Sequence, residues 1–498
     1  MISRCFARAV LFALSLSSVL YAEVRLPQIL SDHAVFERNA PIHIWGWATP
    51  NARVTIRFDK QTRTAVADEA GEWSAWLMPE TAGGPYTLTV EGDGATLTRS
   101  DILVGDVWLA SGQSNMQFPL RGFSNAPLRN GAEEIAHANH AKIRLLRVPD
   151  TGADYPQADV NASWTACTPE TAADFSAVAY FFGREISEKE DVPVGLIDST
   201  WGGTPADSWV SMDMLGTDAN LLPAFHARAI FADEEVRSQE LDVLDKAAKA
   251  AGKPVSIRDW HPNQISWRPA ALYNGMIAPL TPYTIKGFLW YQGETNSGVD
   301  RYLNYSVLFP ALISDWREHF AQGDLPFLYA QISSFISPKE YWGVVRDAQR
   351  RALSLRNTAM AVTIDVGNPN NVHPSDKQTV GARMALAARA MVYGEKVAYQ
   401  SPSFRQVTRE PGALRVWFDH AQGLTSRGTL NDFEIAGADH KFVAATAKID
   451  GETVVVSASG VERPVYVRYA WDNAAKGSLY NAAGLPAGTF TSEAAPAF

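Results

Sequence analysis

Five short runs along this chain are almost wholly apolar, and most of them lead into glycine and small polar residues. They lie at residues 102–110 (ILVGDVWLA), 194–198 (VGLID), 285–290 (IKGFLW), 327–332 (FLYAQI) and 359–365 (AMAVTID). A strand with one wet face alternates apolar with polar residues, whereas a strand covered on both faces has no such need. Helical patterns follow or separate the runs at about 175–186, 302–320, 344–355 and 376–394, the first with Asp174 placed to cap it. Strands alternating with helices predict an α/β fold: a parallel sheet with helices on both faces.

The flanks read differently. Residues 41–47 (PIHIWGW), 52–58 (ARVTIRF) and 86–90 (YTLTV) alternate and are separated by turn signals, which predicts an N-terminal β-sandwich-like domain over 23–100. After about 398 the chain returns to short strand-like runs, so 398–498 is expected to be a C-terminal β-rich domain. The α/β domain spans 101–397, and residues 213–270 interrupt its rhythm as an insertion with a polar helix at 234–251. At the start, Arg4 and Arg8 precede an apolar run that ends at Leu20-Tyr21-Ala22. A basic start, a short apolar stretch and a small exit residue predict a signal peptide over 1–22, and hence a periplasmic or secreted protein with no membrane attachment after cleavage.

Composition narrows the function. A net charge of -10 argues against a nucleic-acid partner, which needs a basic footprint. Of the two cysteines, only Cys167 lies beyond the signal segment, so no disulfide framework is available, and it reads as a small buried hydrophobe. His137 and His140 have a spacing compatible with metal ligands, but no third ligand accompanies them, and no metal is expected. P-loop, dinucleotide and G-x-S-x-G signatures are absent.

Ligands of open parallel sheets bind beyond the carboxyl ends of the strands. Those ends carry Ser111-Gly112-Gln113-Ser114-Asn115-Met116, Ser199-Thr200-Trp201-Gly202-Gly203-Thr204, Tyr291-Gln292-Gly293-Glu294-Thr295-Asn296 and the segment from Asp365 to His373-Pro374. Acyl transfer fits this set. A serine hydroxyl needs a base to take its proton, and the oxyanion that forms needs preorganised donors. Ser114 offers the hydroxyl and its own N–H, His373 the base, Gly202 or Gly203 an approachable backbone N–H, and Gln292 a side-chain N–H. Trp201 and Asn296 are candidate substrate contacts.

These motifs, together with Leu272-Tyr273-Asn274-Gly275-Met276-Ile277 and Leu479-Tyr480-Asn481, resemble the sialate O-acetylesterase family within the SGNH hydrolases, across nearly the whole chain after the signal segment. The resemblance implies a flavodoxin-like α/β/α catalytic domain that removes O-acetyl groups from sugars without a cofactor. Carried over, it makes Ser114 the nucleophile and His373 the base, with an oxyanion hole of the Ser114 N–H, the Gly202 N–H and the Gln292 side chain.

One position departs from the broader SGNH pattern. Many members hold an Asp three residues before the catalytic His, where this chain has Asn370. Asp365, Asp376, Glu294 or a backbone carbonyl is left to orient His373, and Asp365 stands best placed, at a strand end. No Arg lies within the four motifs, so neutral acetylated hemicellulose such as xylan or xyloglucan is as well matched as anionic sialic acid. The rival reading is a non-catalytic exported carbohydrate-binding protein, which the 15 Trp residues and the terminal β regions allow.

Overall fold

The computed structural model describes residues 23–255 and 264–495. The expected signal peptide, 1–22, lies outside them. Six parallel strands form the central sheet, in the spatial order Thr358–Ala361, Phe327–Ala330, Gly287–Tyr291, Ala95–Gly112, Val194–Thr200 and His140–Arg147. Thr165–Cys167 adds an antiparallel edge strand.

All five apolar runs supply strands of this sheet: four lie in its interior, and the run at 359–365 begins in the edge strand Thr358–Ala361, whose residues alternate between buried and half-buried. Trp108 meets Phe182 of the helix Ala177–Glu190 on one face, with ring centroids 4.9 Å apart. Phe288 and Trp290 meet Trp316 of the helix Tyr305–Phe320 on the other, at 5.5 and 5.4 Å. Helices Trp342–Arg351 and Lys377–Met391 complete the two covering layers. The helix Ala177–Glu190 is capped by Ser176, whose hydroxyl accepts from the Ala179 N–H at 3.2 Å, rather than by Asp174, which pairs with Arg121 at 2.8 Å.

Ala95–Gly112 is an 18-residue strand, and the boundary expected at 100/101 falls inside it. Its first half pairs antiparallel with Gly83–Gly92, and residues 103–105 pair with Val35–Glu37. Its last half is the middle strand of the parallel sheet. One continuous apolar core therefore runs beneath the N-terminal strands and the α/β layers. The C-terminal β region carries a second core, centred on Val416, Phe433, Val467 and Phe490 and reaching Val362 and Ile364 of the sheet domain.

The sheet register decides where the polar segments meet. Gly112 pairs with Thr200 on one side and with Tyr291 on the other. Three strand ends therefore stop level with one another, and everything that follows them emerges at one edge. The chain leaves the Gly112 strand to build one side of the sheet first and the other side later, which opens a crevice at that strand's end.

Candidate active site

Ser114 stands directly over this crevice. Gly112 has φ +132°, and a Cβ there would lie 2.3 Å from the Tyr291 carbonyl oxygen, so only glycine lets the strand end hug its neighbour. The chain then makes one helical turn, Ser114–Gln117. As its first residue, Ser114 has an N–H that the turn itself cannot use. The Gln113 carbonyl accepts from the N–H groups of Met116 and Gln117. Ser176 fixes the far end by donating its hydroxyl to the Met116 carbonyl at 2.6 Å. The Ser176 N–H donates to Asp198, a buried carboxyl that burial pushes up to about 6.

His373 comes from a loop 259 residues away in sequence, and its Nε2 lies 2.9 Å from Ser114 Oγ. Its backbone N–H donates to Asn371 Oδ1 at 2.9 Å, and Asn371 Nδ2 donates in turn to the Asn125 carbonyl at 3.0 Å. The Phe123 ring stands edge-on to the imidazole, 5.1 Å between centroids. Burial, helped by the positive charge of Lys377, draws the imidazole pKa down to about 4. At neutral pH the ring is therefore uncharged and free to accept a proton.

None of the expected carboxylates orients that ring. Asp365 is held in a bidentate pair with Arg383, at 2.7 Å to each of two guanidinium nitrogens. Asp376 caps the helix Lys377–Met391 through the Thr379 N–H and pairs with Arg129. Glu294 accepts from Asn115 Nδ2 at 2.6 Å. Among the described residues, nothing hydrogen-bonds His373 Nδ1. The arrangement is a Ser–His pair whose imidazole is placed by its loop and by Phe123.

The oxyanion donors expected from sequence are only partly where they were sought. Gly202 lies against Ser114, since a Cβ there would come within 3.3 Å of Ser114 Cβ. Its N–H donates to the side-chain oxygen of Gln117 at 2.9 Å. Gln292 is turned away: it is fully buried and donates to Asn296 Oδ1 at 2.7 Å and the Thr204 carbonyl at 3.2 Å. Asn296 is likewise spent on structure, donating to Asp207 and accepting from the Ala206 N–H. Trp201 packs on the core. Ser114, His373, Gly202 and Gly203 line a cavity of about 710 Å³, but Gln292, Asn296 and Trp201 do not.

Several residues that position this site were not singled out from sequence. Asn115, fully buried, accepts from Lys377 Nζ at 2.5 Å and donates to Glu294 and to the Val372 carbonyl, the latter at 3.0 Å. One amide thus ties the serine turn to the histidine loop and to the neighbouring strand end. Burial brings the Lys377 ammonium down to about 7, against the pull of Glu294 and Asp376. Asn473, from the C-terminal region, donates to the Glu340 carbonyl at 2.8 Å and accepts from the Trp342 N–H at 3.1 Å, bracing the cavity wall that Phe335, Glu340 and Trp342 form. The Ser114-Asn115 pair was the one local signal, because a polar side chain at a buried strand end needs partners. Cys167 is buried, its thiol pushed up to about 12. No cluster of three metal-ligating side chains occurs among the described residues, and no described helix is long and apolar enough to cross a membrane.

Comparison with known proteins agrees with this geometry. Residues 223–390 match the family described as carbohydrate esterase, sialic acid-specific acetylesterase. The sialate O-acetylesterase of Rattus norvegicus is 32% identical over 478 residues, covering 86% of this chain and 85% of that protein. That of Homo sapiens is 32% identical over 414 residues, covering 75% and 72%. The crystal structure of a carbohydrate acetylesterase from Xanthomonas citri superposes with a TM-score of 0.82 at 37% identity, covering 95% of this chain and 100% of that one. With the Ser–His pair at the head of the same doubly covered sheet, these likenesses settle the assignment: the chain belongs to the sialate O-acetylesterase family of carbohydrate esterases and is a carboxylic ester hydrolase.

Proposed function

We propose that this esterase removes O-acetyl groups from neutral carbohydrate, such as acetylated xyloglucan or xylan, through an acetyl-serine intermediate on Ser114. The observation that carries the serine mechanism is the 2.9 Å contact between Ser114 Oγ and His373 Nε2 beside the cavity. Ser114 Oγ attacks the acetyl carbonyl carbon while His373 takes its proton. The tetrahedral oxyanion is met by the Ser114 N–H and by the Gly202 N–H, which the arriving oxygen frees from Gln117. Collapse expels the sugar alkoxide, which receives the proton from His373. Water, deprotonated by the same imidazole, then cleaves acetyl-Ser114 to acetate and restores the hydroxyl.

The cavity's charge supports the choice of a neutral sugar. Its acidic lining side chains are Glu294 and Glu340, and among the described residues no Lys or Arg lines it. A sialic acid carboxylate would enter beside Glu340 with no cationic partner among the described residues, whereas an uncharged acetylated pentose or hexose meets carboxylate and amide acceptors for its hydroxyls. The basic, then apolar, segment at 1–22 supports export to the periplasm or the medium, where polysaccharide is met. Acetate release measured side by side from acetylated xyloglucan, acetylated xylan and O-acetyl sialic acid tests the substrate. A kcat/KM at least about tenfold higher on a hemicellulose is expected, a difference of some 1.4 kcal/mol in transition-state binding. Preference for the sialic acid would overturn the reading.

The low imidazole pKa sets the acid limb of activity. Neutral His373 is the working form, and protonation removes it. Since its pKa lies at about 4, kcat/KM is expected to stay level as pH falls through 6 and to drop only near 4. A limb near the ordinary histidine value of ~6.5 would contradict an imidazole that is buried beside Lys377 with no described carboxylate on its ring nitrogens. The check is a pH–rate profile on a neutral aryl acetate, with stability followed in parallel. The sign of the stability effect is the same: the unfolded chain takes up this proton below about 6.5 and the folded chain only below about 4, so folding weakens as pH falls through that interval.

A further inference from the structure

The oxyanion hole expected from sequence lacks its side-chain donor, because Gln292 spends both of its N–H groups inside the protein. We propose that the side-chain amide of Gln113, the residue before the nucleophile, is that donor. The inference rests on Ser114 being the nucleophile and adds a catalytic residue to it.

Two backbone N–H groups converge on the Gln113 side chain, those of Thr295 at 3.2 Å and Gly293 at 3.4 Å. Only an oxygen accepts from both, so the amide's orientation is fixed by chemistry. Its NH2 end must then face away from the Gly293–Thr295 turn. Gln113 lines the cavity together with Ser114 and Gly202, and its residue is only 3% exposed. The backbone is pinned as well: its N–H donates to the Tyr291 carbonyl at 3.1 Å, and its carbonyl holds the serine turn. Among the described residues no acceptor meets the Gln113 NH2 group. The amide nitrogen is thus left available to an oxygen brought in by a ligand.

Gln117 shows where such an oxygen belongs. Its amide oxygen receives the Gly202 N–H at 2.9 Å, the contact an acyl oxygen would make. With the Ser114 N–H, which has no acceptor among the described residues, the Gln113 amide gives the developing oxyanion three donors on a rigid strand end. The two strand ends thus divide their labour. Gln113 Oε1 ties itself to the neighbouring turn so that its nitrogen serves the reaction, and Gln292 ties itself to Asn296 and serves only the scaffold.

The test compares Gln113→Glu, Gln113→Met and Ser114→Ala in the full chain on an acetyl ester. Gln113→Glu keeps an oxygen for both backbone N–H groups but removes the NH2 donor, whereas Gln113→Met removes both functions. Both are expected to lose on the order of 10²–10³-fold in kcat, the usual cost of one oxyanion donor. KM should stay within about threefold, as for a contact made only in the transition state. If Gln113 merely braces the turn, Gln113→Glu restores turnover. A Gln113→Glu enzyme that keeps more than about a third of wild-type kcat overturns the proposal. An active Ser114→Ala enzyme would instead remove the nucleophile assignment beneath it.

Discussion

Replacing Ser114 by alanine is expected to leave a folded protein whose acetyl-ester turnover has fallen by about 10⁴-fold or more. The prediction is steep because no other hydroxyl shares Ser114's position. Among the described residues, Ser114 Oγ alone meets His373 Nε2, and it does so where the Ser114 and Gly202 N–H groups also lie. The structural cost should be small. The hydroxyl makes one hydrogen bond, typically about 0.5–1.5 kcal/mol, and the turn below it is held by Ser176 and by the Gln113 carbonyl. A melting curve close to wild type together with lost turnover is the expected pair. A stable variant that still turns over acetyl esters would remove Ser114 from the chemistry.

His373→Ala is expected to cost about 10³-fold or more in kcat, with substrate binding largely kept. In the proposed mechanism the imidazole works twice, first taking the serine proton and then that of the hydrolytic water, so both half-reactions should slow. In triads a carboxylate on the far ring nitrogen stabilises the imidazolium. Here the ring is instead positioned by Asn371, by Phe123 and, through Asn115 and Val372, by the floor of the site. That difference explains why burial and Lys377 prevail and bring the pKa down to about 4. Steady-state kcat and KM, measured with circular dichroism to confirm folding, check this. A fall in kcat below tenfold would move the role of base elsewhere.

The parts of this enzyme legible in its sequence are those set by local composition. A doubly covered strand must be apolar throughout, and runs such as 194–198 and 285–290 could hardly be anything else. The strand His140–Arg147 was missed because Lys142, Arg144 and Arg147 break its apolar run; Arg144 is buried with its guanidinium paired to Asp101 and donating to the Ala141 carbonyl. Thr165–Cys167 is three residues long and has no pattern to read. At the site, the pairing of Ser114 with His373 could be expected because few residue types suit acyl transfer, and the structure brings the two side chains within 2.9 Å. The roles of Gln113 and Gln292 were not legible. Both are glutamines at strand ends beside glycine, and which one faces the crevice depends on where neighbouring backbone N–H groups point. Asp365 failed as the orienter for a similar reason, since its partner Arg383 lies on the following helix and nothing in the strand announces it.

The central claim is that Ser114 carries the acetyl group, and a serine-directed phosphonate tests it most directly. Treated wild-type enzyme should lose acetate release in proportion to the label it takes up, and peptide mass mapping should place that label on Ser114. Acetate release that persists in fully labelled enzyme, or inactivation with the label on another residue, would contradict the account.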